Sequence, residues 1–351
     1  MYFKQFLHDE TGCSSYFIAS RESREAAVID PQLDIQPYLE LADERHYHIV
    51  YVIDTHLHAD HVSGNRALAR ATGARLCLHA SADVVFPFQL LCDGDEIHLG
   101  QLILRVVHTP GHRPESTSLL VANPPRSPEP SMLLSGDTLF VGDVGRPDFG
   151  GPDGGAVQYT SVQRLLDLPD YIEVFPAHFE GSCGKGMCGR PSTTIGFERR
   201  FNPVLQLSRD EFLRTTAEVP PRPLNMTAIM ATNQGRADYA WVQVNADSNR
   251  IQCVAPEHAP TWVREHDAFV LDVREPDEYA AGHVPGAVSI PQADLALHLE
   301  EIPRQRTVLV ACRSGLRSMA SARFLKAIGY ERVVNLNRGT LGWIAAGHAA
   351  S

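Results

Sequence analysis

Along the first half of the chain, apolar runs of three to six residues recur between turn-forming residues. They occupy positions 16–19, 26–29, 50–53, 75–78, 102–107, 118–121 and 132–134, and runs of that length bounded by turns predict β-strands. Apolar residues at three- and four-residue spacing predict helices over 34–45, 64–72 and 157–168. Many strands with few helices imply sheets packed face to face and covered by helices, an α+β arrangement, rather than a strictly alternating parallel sheet. The proline-rich stretch 123–130 predicts a loop.

The pattern changes after Pro203. Val219-Pro220-Pro221-Arg222-Pro223 interrupts it, and no strong periodicity runs through 246–260, so residues 246–256 are the expected linker between domains spanning 1–245 and 257–351. Beyond it, strand-like 268–273, 287–290, 307–311 and 332–335 alternate with helical 277–281, 295–300 and 318–328. That alternation predicts an α/β module with a largely parallel sheet.

Composition narrows the class. The 351 residues, 44% hydrophobic and 21% charged, suit two globular domains rather than a disordered chain. The net charge is −11, and no run approaches the ~18 apolar residues of a membrane span, so nucleic acid and membrane are excluded as expected partners. Residues 261–351 carry ten basic and ten acidic side chains, which places the whole excess charge in 1–260. Seven cysteines, sparse and odd in number, predict free thiols rather than a disulfide framework. The opening MYFKQFLHDE has neither an apolar signal core nor an Arg-rich transit character, so a cytoplasmic chain is expected. A homo-oligomer is compatible with all of this.

The densest chemical signal is Thr55-His56-Leu57-His58-Ala59-Asp60-His61, directly after a predicted strand. His112 follows Thr109-Pro110-Gly111, Asp137 follows an apolar run and Gly136, and His178 follows Val174-Phe175-Pro176-Ala177. Each sits just past a strand, where a loop can carry it to a shared rim. A buried cluster of five His and two Asp without a cation would strand polar groups at about 1–3 kcal/mol each, so a metal site is expected. Two readings of that site remain open on spacing alone: two zinc ions around a bridging hydroxide, or one iron held by two His and one carboxylate.

The HxHxDH residues His56, His58, Asp60 and His61, with His112, Asp137 and His178, resemble the metallo-β-lactamase superfamily, which implies an αββα sandwich for the N-terminal domain. Gly136-Asp137-Thr138-Leu139-Phe140 followed by Gly145-Arg146-Pro147-Asp148-Phe149 resembles the GDTL…GRxDF pattern of persulfide dioxygenases. That resemblance implies one Fe(II) per chain on His56, His112 and Asp137. His58, Asp60, His61 and His178 then orient the ligands or remain as an alternative metal position. The alternative is two Zn(II) in a thioester hydrolase of glyoxalase II type. The same resemblance implies that Arg146 meets a carboxylate of a glutathione-type substrate. Arg113 stands where glutathione-using relatives have Thr, and Phe179-Glu180 replaces the family Asp-Tyr, so Arg113 is a second candidate substrate contact. Cys183 and Cys188, in a Gly-rich segment, suit loop support, a redox pair or soft metal ligands.

A second chemistry sits near the C-terminus. The apolar run 307–311 ends at Cys312-Arg313-Ser314-Gly315-Leu316-Arg317, and Ser318 opens a helical pattern. A cysteine between a strand and a helix N-terminus faces free backbone N–H groups, and Arg313 and Arg317 add positive charge; both favour the thiolate. The Cys-x4-Arg loop is one residue shorter than the Cys-x5-Arg loop of phosphatases. Together with Asp272-Val273-Arg274-Glu275-Pro276-Asp277-Glu278-Tyr279 and Gly282-His283-Val284-Pro285-Gly286-Ala287, this loop resembles a rhodanese domain. The resemblance implies that Cys312, with Arg313, Ser314, Gly315 and Arg317, takes sulfane sulfur from thiosulfate and passes it to a thiol, while Asp272 and Arg274 brace the loop. The expected substrates are glutathione persulfide, O2 and thiosulfate.

Overall fold

Alternate residues of the strand Cys13–Ala19 belong to two different cores: Tyr16 and Ile18 to one, Phe17 and Ala19 to the other. All seven of its residues are buried. A strand covered on both faces needs a layer on each side, and the chain supplies them. The computed structural model describes residues 1–8, 11–181, 183–237 and 251–351. They fall into two units, 1–220 with 233–236, and 221–232 with 237–351.

In the first unit, β1 (Tyr2–His8), β2 (Cys13–Ala19), β3 (Glu25–Ile29), β4 (His48–Ile53), β5 (Arg75–His79) and β6 (Gln89–Leu91) form one sheet in that order. β7 (Glu96–Leu99), β8 (Leu102–His108), β9 (Thr117–Asn123), β10 (Ser127–Gly136), β11 (Glu173–Pro176) and β12 (Thr193–Thr194) form the second, in the order β12-β11-β10-β9-β8-β7. The inner faces meet through Tyr16, Ile18, Ile29 and Ile53 on one side and Leu104, Val106, Val121 and Leu134 on the other. Helices α1 (Gln36–Arg45) and α2 (Asn65–Thr72) cover the outer face of the first sheet with Tyr38, Leu41 and Leu68. α3 (Gly154–Leu166), α4 (Ile195–Phe201) and α5 (Arg209–Ala217) cover the second with Val162, Leu165, Ile195 and Phe212. This is the αββα sandwich expected from the motif resemblance.

After α6 (Met226–Asn233), the second unit holds β13 (Gln252–Val254), β14 (Phe269–Asp272), β15 (Val288–Ser289), β16 (Val308–Ala311) and β17 (Val333–Leu336), all parallel, in the order β13-β17-β16-β14-β15. α7 (Ala259–Glu265), α8 (Pro276–Ala280), α9 (Leu316–Ala327) and α10 (Gly339–Ala345) complete it. Val308 and Val310 pack with Ala322 and Leu325, whereas Leu309 and Ala311 pack with Ala259 and Trp343. A parallel sheet covered on both faces is the expected α/β architecture.

Three expectations are corrected or refined. The predicted loop 123–130 is shorter, because β10 already begins at Ser127; Pro128 and Pro130 cannot donate to a ladder, and the register with β9 shifts between Ser127 and Met132. The predicted helix 295–300 is two 3-10 turns, Leu295–Leu297 and Leu299–Glu301: the N–H groups bond three residues back, His298 to Leu295 O at 3.3 Å and Glu301 to His298 O at 3.1 Å, and His298 leaves the helical region between them at φ −116° and ψ 21°. The unit division falls at Pro220–Pro221, where 221–232 joins the second unit through bonds such as Asn225 N–H to Gln292 O at 2.7 Å. Of the expected linker 246–256, residues 246–250 lie outside the described residues, and 252–254 form β13.

Gly145 fixes how closely the loop after β10 folds back on itself. A Cβ there would lie 1.9 Å from the carbonyl oxygen of Asp137 and 3.3 Å from His112 Cβ. Gly145→Ala is expected to lower stability by about 1–3 kcal/mol, read as a lower denaturant midpoint, and to reduce bound metal in parallel. An unchanged midpoint with full metal content would contradict this account of the loop.

Candidate metal centre and cysteine loop

His56 and His61 lie on the turn after β4, His112 on the loop after β8, Asp137 just after β10 and His178 just after β11. Gly136 pairs with Pro176 across β10 and β11, which brings Asp137 and His178 side by side. Glu115 accepts from Leu57 N–H at 3.1 Å, tying the loop of His112 to the turn of His56.

Hydrogen bonds on the far side of each ring decide which atoms face the centre. Thr55 Oγ1 donates to Asp30 Oδ2 at 2.9 Å, so it is left to accept the Nδ1–H of His56 at 3.0 Å. The Nδ1–H of His112 donates to the carbonyl of Arg146 at 2.8 Å. Both rings therefore present an unprotonated Nε2 inward. Asp137 accepts from His178 Nδ1 through Oδ1 at 2.7 Å, which frees Oδ2. His56 Nε2 and His112 Nε2 lie 3.6 and 3.5 Å from that Oδ2. His56 Nε2 and Asp137 Oδ2 are buried without a hydrogen-bond partner among the described residues. Three converging lone pairs in a buried place fit a metal ion on one face, and leave the opposite face for other ligands.

Burial holds His56 well below the ordinary imidazole range, with the neighbouring His58 adding to it, and burial also lowers His112. Burial opposes ionisation of Asp137, but the facing His178 and His56 outweigh it and keep the carboxyl below its usual range. The same balance raises His178 well above the ordinary value: burial opposes the charge and Asp137 overcomes it.

The other motif residues sit differently. His58 Nε2 is 3.2 Å from Asp30 Oδ1. Asp60, His61 and His178 gather with Cys13: Cys13 Sγ lies 3.1 Å from Asp60 Oδ2 and 3.2 Å from His178 Nε2. Arg146, buried to 2% side-chain exposure, is paired with Asp148 at 2.8 Å, its guanidinium 4.5 Å from the Phe149 ring centre. Arg113 Nε donates to Glu115 at 3.0 Å. Beside Arg146, a cavity of about 220 Å³ is lined by Gly142, Lys185, Val204, Thr216 and Val219. Cys183 is buried with Sγ 3.9 Å from His178 Nε2, whereas Cys188 is exposed. All seven cysteines are free.

Sequence reasoning passed over Cys13, Asp30 and Asn233. Asn233, which belongs to the first unit, donates through Nδ2 to the carbonyls of His58 and His61 at 2.8 and 2.9 Å, and so holds the turn from far along the chain. No local spacing marks these residues; Cys13 is distinguished only as the polarisable side chain that opens a fully buried strand.

In the second unit, Cys312 directly follows β16 and is fully buried. Its Sγ accepts the Gly315 N–H at 3.1 Å and lies 3.3 Å from Ser318 Oγ. Gly315 reaches this position through a left-handed φ of 97°. Arg313 and Ser314 are exposed on the loop. Arg317 forms a two-pronged pair with Glu278, both contacts at 2.7 Å. Burial alone would raise the Glu278 pKa, yet that pair holds it below the usual range. Asp272 and Arg274 form a buried pair at 2.7 Å, and Arg274 also donates to Gly282 O at 2.9 Å, bracing the turn beside the loop.

Residues 8–178 match the metallo-beta-lactamase superfamily and residues 257–346 match the rhodanese-like domain. The mitochondrial persulfide dioxygenase ETHE1 of Homo sapiens is 28% identical over 241 residues, covering 65% of this chain and 85% of that protein. A hydroxyacylglutathione hydrolase of Polaromonas sp. is 36% identical over 167 residues, covering 47% of this chain and 61% of the relative. Among solved structures, ETHE1 from Myxococcus xanthus is 30% identical with a TM-score of 0.59, covering 68% of this chain and all of that one. A metallo-beta-lactamase from Staphylococcus aureus is 28% identical with a TM-score of 0.66, covering 96% of this chain and 98% of that one. The chain belongs to the metallo-beta-lactamase superfamily, has ETHE1 persulfide dioxygenases among its homologues, and carries a C-terminal rhodanese-like domain.

Proposed function

We propose that the chain is a bifunctional sulfur-metabolism enzyme. One site oxidises the persulfide of glutathione or a similar thiol with O2 to sulfite; the other transfers sulfane sulfur through Cys312. The observation that carries the first half is the set of three inward lone pairs on His56, His112 and Asp137, with His58 held by Asp30. Two imidazoles and one carboxylate suit one Fe(II) per chain, which when bound supplies open positions for sulfur and oxygen and the redox activity that zinc lacks.

The protein's part is to hold the ligands and the substrate. Thr55 and the Arg146 carbonyl fix the two ring orientations, and His178 fixes the carboxylate. Arg146 is the contact for a substrate carboxylate, and to bind one it exchanges Asp148 for it. Arg113 makes the same kind of exchange with Glu115. The apolar cavity beside Arg146 accommodates the rest of the thiol carrier.

In the second unit, the Cys312 thiolate attacks the outer sulfur of thiosulfate. The S–S bond breaks, sulfite leaves with the electron pair, and Cys312 carries a persulfide. A glutathione thiolate then takes the terminal sulfur and restores the Cys312 thiolate. The Gly315 N–H stabilises that thiolate, and exposed Arg313 offers the anion its first contact. The product, glutathione persulfide, is the substrate of the first site. The free thiols are consistent with a reducing cytoplasmic setting.

A zinc thioester hydrolase is the second reading, favoured by the Polaromonas relative. In that reading His58 would serve as a further metal ligand, whereas it is held by Asp30 Oδ1 at 3.2 Å.

Three outcomes test this. Protein purified without oxygen is expected to hold about one iron per chain and to consume O2 with glutathione persulfide, with His112→Ala lowering uptake by more than about 100-fold; two zinc ions and no uptake would contradict it. Cys312→Ser should abolish thiosulfate sulfurtransfer and leave oxygen uptake intact, as measured on the same preparation. Because burial keeps His56 and His112 neutral below the ordinary imidazole value, protons should not displace the metal as pH falls from about 8 to about 6.5. Metal content at fixed free ferrous ion that halves near pH 6.5 would run against this.

A further inference from the structure

Behind the Cys312 loop, polar groups that the proposed transfer does not use line up in one chain. Ser318, in the first turn of α9, places Oγ 3.3 Å from Cys312 Sγ and 2.6 Å from Asn335 Oδ1 on β17. Asn335 Nδ2 lies 3.8 Å from Sγ of Cys253, its partner in register on β13. Cys312 and Ser318 are fully buried and Asn335 is 3% exposed, so these groups satisfy one another rather than water. We propose that Ser318 and Asn335 form a two-position hydrogen-bond switch that directs the Ser318 O–H towards Cys312 Sγ or away from it.

A hydroxyl has one proton to donate, and the Ser318 hydroxyl has two acceptors within reach, Cys312 Sγ and Asn335 Oδ1. With the amide oxygen towards Ser318, the hydroxyl donates to Asn335, and Cys312 is held as a thiol whose S–H points at Ser318 Oγ. With the amide turned over, its N–H donates to Ser318 Oγ, and the hydroxyl donates to Cys312 Sγ as a thiolate. The amide oxygen then faces Cys253 Sγ, whose S–H is a weak donor. A carboxamide fills the same shape in both orientations, so the turn needs no repacking. The Asn335 backbone stays fixed throughout, because β17 pairs with β16 at Val310 and with β13 at Cys253.

The inference rests on the reading of Cys312 as the sulfur-transfer nucleophile, and it gives Ser318 and Asn335 positioning roles in that reaction. In the thiolate arrangement the sulfur receives two donors, the Gly315 N–H at 3.1 Å and the Ser318 O–H. The second donor matters most when the acceptor thiolate takes the terminal sulfur of the Cys312 persulfide. The S–S bond breaks there, Sγ leaves with the electron pair, and the Ser318 O–H meets the charge that develops on it. Each cycle begins and ends on the thiolate, so it takes up no net proton. When the resting thiol is converted to the thiolate, its proton passes to solvent, and the Ser318–Asn335 pair only exchanges hydrogen bonds.

Ultraviolet thiolate absorbance of the full chain, taken as the difference from the same chain carrying Cys312→Ser, reads the switch without turnover. Ser318→Ala should lower the thiolate-to-thiol ratio at neutral pH by about tenfold. It should also lower kcat for thiosulfate sulfurtransfer by a similar factor with KM for thiosulfate unchanged, because Ser318 does not meet the incoming anion. Asn335→Leu keeps the volume and leaves the Ser318 hydroxyl with Cys312 as its acceptor, so the ratio should hold or rise. An unchanged ratio in Ser318→Ala, or an equal fall in Asn335→Leu, as simple loosening of the loop would give, would overturn the switch. A chain that transfers no sulfur yet shows the Ser318→Ala fall would remove the transfer reading and leave the switch standing.

Discussion

Buried imidazole and carboxylate atoms that lack a protein partner must be answered by something else, and in this chain that constraint shapes one whole end of the first unit. His56 Nε2 and Asp137 Oδ2 face each other with His112 Nε2, without a hydrogen-bond partner for the first two among the described residues. Their outward atoms, in contrast, are all engaged, by Thr55, the Arg146 carbonyl and His178. A cation satisfies the inward atoms and the fold fixes the outward ones. The sandwich supplies the rigidity: β4, β8, β10 and β11 all contribute to the core between the sheets through Ile53, Leu104, Leu134 and Phe175, and β10 and β11 end side by side at Gly136 and Pro176, so the loops that follow leave from packed strands. Gly145 lets one loop pass against the Asp137 backbone where no side chain would fit.

Much of this centre was legible because metal chemistry demands particular residue types, and the strand-end positions of His56, His112, Asp137 and His178 were visible as apolar runs ending in turns. The sandwich followed from strand density together with the motif. Tertiary partners were not legible. Cys13 lies some forty-five residues before His58, and Asn233 reaches the same turn from far downstream. The roles of the arginines were half legible: charge and position marked Arg146 and Arg317, while their pairing with Asp148 and Glu278 appears only in the fold. The 295–300 segment read as helix because its apolar spacing is helical, but spacing at three and four residues does not separate an α-helix from two 3-10 turns that break at His298.

The two proposed sites share an electrostatic problem. The proposed substrates, thiosulfate and glutathione persulfide, are anions, and the chain carries a net charge of −11. Attraction has to be local: a cation on the triad, Arg146 beside its cavity, and Arg313 exposed at the Cys312 loop. Pairing Arg146 and Arg317 with carboxylates keeps each guanidinium positioned in the resting state, so that a substrate anion exchanges with a protein anion instead of ordering a loose side chain.

The central claim is a single redox-active metal held on one face by His56, His112 and Asp137. Nitric oxide, a surrogate for dioxygen, tests it directly when added to ferrous protein prepared without oxygen and followed by electron paramagnetic resonance. The account predicts a high-spin ferrous nitrosyl signal that accounts for about one iron per chain and vanishes in His112→Ala. Zinc at the triad and no nitrosyl signal would contradict it.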